Sequence, residues 1–172
     1  MYRITEPLIT FYQVVMRPRW GLLESGRGDS VWVDARPRFL AQVVGPHFET
    51  ICREFAMHAP TTLFGDLPAE VGAATVADPA RRTQIQIDVA VFAPAVPGEP
   101  RRVLSLGEAK WGEVIGERHV ERLRRARDLL TNKGYDTRDV LLTCYGGAGF
   151  APGLGGAAGD RVQTIGLEDL LG

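Results

Sequence analysis

The amino-acid sequence predicts one α/β domain around a mixed sheet, preceded by a helical arm, and three observations predict it. Thr83–Phe92 sets Ile85, Ile87, Val89 and Val91 against Gln84, Gln86 and Asp88, the period of a half-buried strand. Residues 139–145 form a continuous apolar run, as in a strand covered on both faces, and a helix-spaced segment over 116–130 leads into it from the strand before. The 172 residues, 45% hydrophobic and 24% charged, have the length and composition of one globular domain. The expected division is an arm over residues 1–40 and a domain over 41–172.

Residues 6–16 carry Leu8, Ile9, Phe11, Tyr12 and Val15 at mostly helical spacing, and Pro18 is expected to stop that helix. Residues 20–37 mix glycine and proline with a short strand-like VWV piece, so they read as a wrapping arm that docks on the domain or on a second subunit. Phe48, Ile51, Cys52 and Phe55 fall at i, i+3, i+4 and i+7, which makes an amphipathic helix from Gly45 that ends before Pro60. A weak strand is expected over 70–76, ahead of Thr83–Phe92. Pro94, Pro97, Gly98 and Pro100 mark 93–102 as a hairpin loop. Residues 102–111 return as a strand, and 116–130 form a helix with Val120, Leu123 and Leu130 inward. After the buried strand at 139–145, residues 161–165 and Leu167–Leu171 supply a last strand and helix. The order after the arm is αβββαβ, a mixed sheet flanked by helices.

Twenty Lys plus Arg against 21 Asp plus Glu give a net charge of −1 and a pI near 6.3. That excludes coating of nucleic acid by bulk charge and leaves a local basic groove open. No apolar run approaches the roughly 18 residues of a membrane span, and the first residues lack the pattern of a signal peptide. A cytoplasmic protein with no membrane partner is expected. Cys52 and Cys144 belong to no CxxC pair and read as reduced core thiols. With only His47, His58 and His119 and no HExxH, a histidine-based metal site is not expected. Residues 146–159 hold seven glycines in fourteen positions. They lack the Lys-Ser/Thr of a P-loop, and GLGGAA is not followed by a helical pattern, so they read as a mobile loop. The GRGDS string at 26–30 is taken as chance.

The chemistry lies in LSLGEAKWG, residues 104–112. On a strand, Leu104, Leu106, Glu108 and Lys110 share one face and Ser105, Gly107 and Ala109 the other. One face thus turns from two leucines to an acid and a base, with small residues opposite that leave room for a helix. A solvated Glu/Lys pair would be worth only about 0–1 kcal/mol. Asp88, however, lies on the polar face of the partner strand. If the strands pair, Asp88 and Glu108 converge, and two carboxylates with a backbone carbonyl make a hard-cation site suited to Mg²⁺. Lys110 beside them could hold or help deprotonate a water, an arrangement that suits phosphodiester hydrolysis.

A carboxylate-bearing helix, IDVAVF with its Asp, GEAK with its Glu and Lys, and then a crossover helix resemble the PD-(D/E)XK nucleases of the restriction-endonuclease-like fold. More closely, EPLITFYQVVMRP, GPHFETICRE, QIDVAVF and LGEAKWG, in that order, resemble the C-terminal domain of archaeal-type AAA+ ATPases, also found in bacteria, over nearly the whole chain. The resemblance implies a restriction-endonuclease-like core, Asp88 and Glu108 as ligands of Mg²⁺ or Mn²⁺, and Lys110 as the catalytic lysine. It also implies a helix glutamate that supports the metal or its water. Glu49 and Glu54 flank the apolar stripe of their helix and geometry does not choose between them, while the match of FETICRE to the family block favours Glu49. Ile87 stands where these nucleases carry proline before the Asp, a change many of them tolerate. The family's ATPase domain, with its P-loop, is not in these residues. The chain is therefore expected to be a C-terminal piece of a longer protein or a stand-alone relative, and not to bind ATP itself.

The helix after the motif holds Arg118, Arg122, Arg124, Arg125 and Arg127 against Glu117, Glu121 and Asp128. It reads either as a solvated face with Glu121 paired to Arg125, or, for Arg118, Arg122, Arg124 and Arg125, as phosphate contacts beside the site. Two functions follow. One is a Mg²⁺-dependent nuclease acting on DNA. The other is a catalytically inactive domain of the same fold that binds DNA or protein and regulates an AAA+ ATPase in cis or in trans. DNA, such an ATPase and a second copy of the chain in a homodimer are the expected partners.

Overall fold

The computed structural model describes residues 6–154 and 161–172, which divide into two compact units, one up to Thr50 and one from Ile51 onward. The described part of the first unit is built of helical turns. Helix α1 (Pro7–Phe11) starts where the Glu6 carboxylate accepts from the Ile9 N–H at 2.9 Å and Pro7 takes a position that needs no N–H. Pro18, expected to stop a helix, lies in a 3₁₀ turn at Arg17–Arg19 after a wide turn at Tyr12–Met16. Helices α2 (Trp20–Glu24) and α3 (Gly28–Phe39) follow. The VWV piece, expected to be strand-like, lies inside α3. A helix buries residues about four apart, so Val31 and Ala35 are buried while Trp32 and Val33 are 43% and 75% exposed. Phe39 gathers the aromatic side chains, with the Phe11 and Trp32 ring centres 5.4 and 5.2 Å away. A second wide turn at Leu40–Val44 leads into α4 (Gly45–His58), in which the two units meet along the chain.

In the second unit, α5 (Thr61–Phe64) ends at Gly65, whose φ of +79° suits glycine alone. Five strands then form one sheet in chain order: β1 (Glu70–Asp78), β2 (Thr83–Phe92), β3 (Val103–Lys110), β4 (Leu141–Gly146) and β5 (Val162–Ile165). The first three pair antiparallel and the last three parallel. The parallel step from β3 to β4 needs a crossover, and α6 (Glu117–Asn132) provides it, with α7 (Leu167–Leu171) after β5. The protein is therefore α/β, with a five-stranded mixed sheet flanked by helices. Val120, Leu123, Ala126 and Leu130 of α6 join Leu106, Leu142 and Cys144 in one buried cluster, where each fully buried leucine or valine stabilises by about 1.5–3 kcal/mol. Every residue of β4 is buried, as its apolar run predicts.

The alternation in β2 holds only as far as Ile87. Gly72 of β1 stands opposite Ala90 but Ala74 stands opposite Ile87, so Asp88 and Val89 together face the single Ala73 in a β-bulge. Ile85 and Ile87 join the α6 cluster with Ala90, whereas Val89 pairs with Gly107 and lies near it on the other face. Residues expected to share a face are thus divided by one inserted position. Gly107 is required there for a different reason from the one its size suggests. A Cβ would lie 2.8 Å from Cε2 of Tyr145 and 3.1 Å from Val89, so the small residue makes room for a tyrosine of β4 and not for a helix.

Cys52 and Cys144 are both buried free thiols. Among the described residues, no helix is long and apolar enough to cross a membrane. Of the glycine-rich stretch, residues 155–160, with most of GLGGAA, lie outside the described residues.

Candidate active site

The bulge re-aims Asp88. Its Oδ2 accepts from the Ala109 N–H of β3 at 3.0 Å, and one further step of the Val89 to Gly107 register brings Asp88 level with Glu108. Arg53 of α4 donates through Nη1 to the Asp88 carbonyl at 3.0 Å and ties the bulged backbone to the helix. Lys110 connects the two acids. Its Nζ lies 2.8 Å from Glu108 Oε1, 3.6 Å from Asp88 Oδ2 and 3.3 Å from the Ala109 carbonyl oxygen. The structure therefore brings Asp88, Glu108 and Lys110 together at the C-terminal end of β3, the end at which open α/β sheets bind ligands. A cleft of about 880 Å³ at the opposite strand ends is lined by Arg102, Tyr135, Asp136 and Arg138. There the Arg138 guanidinium holds the Asp136 carboxyl down to about 2, and the charges pair among themselves.

Glu108 is fully buried, in register with Cys144 of β4, and a carboxylate out of water must be compensated. Two cations meet it. Lys110 is one, and Arg122 of α6 is the other, with Nη1 donating to Glu108 Oε1 at 2.8 Å and Nη2 to the Gln86 carbonyl at 2.9 Å. Both cations converge on Oε1, while Oε2 is buried with no hydrogen-bond partner. Burial first, and the Glu108 charge second, push the Cys144 thiol up to about 12, so this neighbour stays a neutral thiol.

Among the described residues, no three or more His, Cys, Asp or Glu side chains gather in a metal-binding group, so a zinc-type ligand set is not formed there. Mg²⁺ makes a smaller demand, since it commonly takes one or two carboxylates and keeps several waters. Asp88 Oδ2, Glu108 Oε1 and the Ala109 carbonyl already surround one positive charge, the Lys110 ammonium, and Glu108 Oε2 is a buried oxygen with unused acceptor capacity. The donor set fits a hard divalent cation.

Of the two helix glutamates, Glu49 is part-buried in the first unit, and Glu54 is exposed in the second, with its carbonyl 2.8 Å from His58 Nδ1. The α6 arginines have carboxylate partners in the protein itself. Arg118 pairs with Glu113, Arg124 with Glu117 and Glu121, and Arg127 with Asp128. Arg125 faces the sheet and grips Asp78, so Glu121 pairs with Arg124 instead of the expected Arg125. Six arginines against three acids still line a groove of about 530 Å³ between α6 and the β1–β2 hairpin, and Arg122 belongs to it. Sequence reasoning missed Arg53 and the role of Arg122. A signal for the second exists, because Arg122 and Arg125 flank the inward stripe of Val120, Leu123 and Ala126, from which a long side chain can reach the sheet.

Compared with family models, curated proteins and solved structures, the chain matches none of them.

Proposed function

We propose that the second unit is a restriction-endonuclease-like domain that hydrolyses phosphodiester bonds in DNA with Mg²⁺ or Mn²⁺. One observation carries the proposal: three oxygens, from Asp88, Glu108 and the Ala109 carbonyl, converge on the Lys110 ammonium. The resemblance of IDVAVF, with its Asp, and GEAK, with its Glu and Lys, to PD-(D/E)XK nucleases supports it. A divalent cation held by Asp88 and Glu108 would lower the pKa of an attacking water and offset charge developing on the phosphate. Lys110, on its flexible stem, would orient that water or exchange a proton with it. The arginine-rich groove would hold backbone phosphates without reading sequence.

A second reading has its own support. Lys110 and Arg122 already neutralise Glu108 within the chain, as in a domain of this fold that binds DNA or an AAA+ ATPase and cuts nothing. Single-turnover cleavage of plasmid and oligonucleotide DNA with Mg²⁺ or Mn²⁺ separates the two. For a nuclease, Lys110→Met slows cleavage by about 10² or more while metal still binds. Asp88→Asn and Glu108→Gln lose metal affinity and cleavage together. A wild-type protein that cleaves nothing, and that binds DNA or partner as Lys110→Met does, establishes the binding module instead.

A further inference from the structure

We infer that Arg122 is a positioning residue of the metal site and not a phosphate contact. The inference rests on the nuclease reading and concerns the Glu108 carboxylate at its centre. Arg122 bonds to two strands at once, with Nη1 2.8 Å from Glu108 Oε1 on β3 and Nη2 2.9 Å from the Gln86 carbonyl on β2. Gln86 lies two residues before Asp88, on the stretch that enters the bulge. One planar guanidinium therefore fixes the Glu108 carboxylate against the strand that carries the second acid, through two donors held in one rigid plane. With Oε1 held by Arg122, the carboxylate cannot rotate freely, and the buried, unpartnered Oε2 keeps a fixed direction. Partners that orient ligands in this way are typically worth about 10–100-fold in metal affinity or activity. Arg122 also lines the arginine-rich groove, so sequence and surface charge alone would assign it to DNA. The geometry favours the positioning role, because two of the five N–H donors, one on each Nη, already bond to Glu108 and to the Gln86 carbonyl and turn the guanidinium toward the sheet.

The full chain and its Arg122→Met, Arg122→Lys and Arg118→Ser variants are compared in three measurements. These are calorimetric titration with Mn²⁺, single-turnover cleavage at saturating DNA, and the salt dependence of DNA binding in EDTA. A positioning role predicts that Arg122→Met loses about 10–100-fold in both Mn²⁺ affinity and single-turnover rate. Its DNA affinity and salt slope stay at wild-type values. Arg122→Lys, which can keep one of the two bonds, recovers part of both losses and serves as the test if the methionine variant does not fold. Arg118→Ser, whose partner Glu113 is outside the site, leaves Mn²⁺ affinity unchanged. The inference is overturned alone if wild type binds Mn²⁺ and cleaves, but the Arg122 variants keep Mn²⁺ affinity while DNA binding weakens and the salt slope falls by about one. Wild type that neither binds Mn²⁺ nor cleaves overturns the nuclease reading itself, and the inference with it.

Discussion

Two carboxylates of the sheet are met by two arginines of α6 three residues apart, and the two meetings end differently. The side chains of Asp78 and Glu108 are both 0% exposed, and their partners Arg125 and Arg122 are 36% and 38% exposed, so burial does not distinguish the pairs. Hydrogen bonding does. Arg125 approaches Asp78 through Nε and Nη2, at 2.9 Å to Oδ2 and 2.8 Å to Oδ1, and the Arg81 N–H adds a bond to Oδ1 at 3.3 Å. Each oxygen is used, and the pair clasps the β1–β2 hairpin to α6. At Glu108, two cations crowd Oε1 and Oε2 has no partner. A buried ion pair closed on itself is structural, whereas the acceptor capacity left over beside a second acid and a lysine is what the proposed metal site would use.

The largest effect expected from breaking this contrast is at Asp78. Asp78→Asn removes the anion from a pair in which both oxygens are bonded and leaves Arg125 facing a neutral amide, so its melting temperature should fall further than that of Glu108→Gln, where Oε2 has no bond to lose. Thermal melts of the two variants under one buffer decide it. Equal losses would mean that the leftover oxygen carries no meaning. Gly107→Ala strains the face of β3 opposite Glu108 and leaves the Asp78 pair untouched, since its Cβ would lie 2.8 Å from the Tyr145 ring. Denaturant unfolding should show a loss of about 1–3 kcal/mol, as overpacking usually does. Smaller still is the acid response of the closed pairs. Arg125 beside Asp78, and Arg138 beside Asp136, hold both carboxyls below their ordinary range, Asp136 to about 2. The unfolded chain then binds more protons than the folded one. The stability from these two pairs is complete above the unfolded carboxylate value near pH 4 and is lost as pH falls toward about 2. Asp136→Asn should flatten that acid limb in melts taken across the same range.

Much of the sheet was legible because period and burial agree there. β4 and α6 carry one repeat each from end to end, and β3 does so from Ser105 onward, after an irregularity at Leu104 that takes Leu104 out of the expected face. The expected ranges of all three lie within a few residues of the observed ones. The placement of Lys110 beside Glu108 followed from the same period-two rule. The bulge at Asp88 was not legible, because the inserted residue is itself apolar and the string of alternating Ile and Val continues through it. Nor was VWV, where three apolar residues in a row mimic a strand while only Val31 faces inward in α3. The arginine pairings lay beyond reach for a different reason. Arg125 takes Asp78 from 47 positions away, and that choice exists only once α6 has closed over the hairpin. A local rule offered Glu121 instead.

The most direct test of the difference between the two carboxylates is a thermal melt with and without Mn²⁺ on wild type, Asp78→Asn and Glu108→Gln. A ligand that binds only the folded state raises stability by about 2.7 kcal/mol at 100 times its dissociation constant. Wild type and Asp78→Asn should both gain melting temperature in Mn²⁺, the second from a lower starting point, while Glu108→Gln should gain none. A Mn²⁺-induced rise that survives Glu108→Gln, or that is missing from wild type, would contradict the assignment of Glu108 as the open member of the pair.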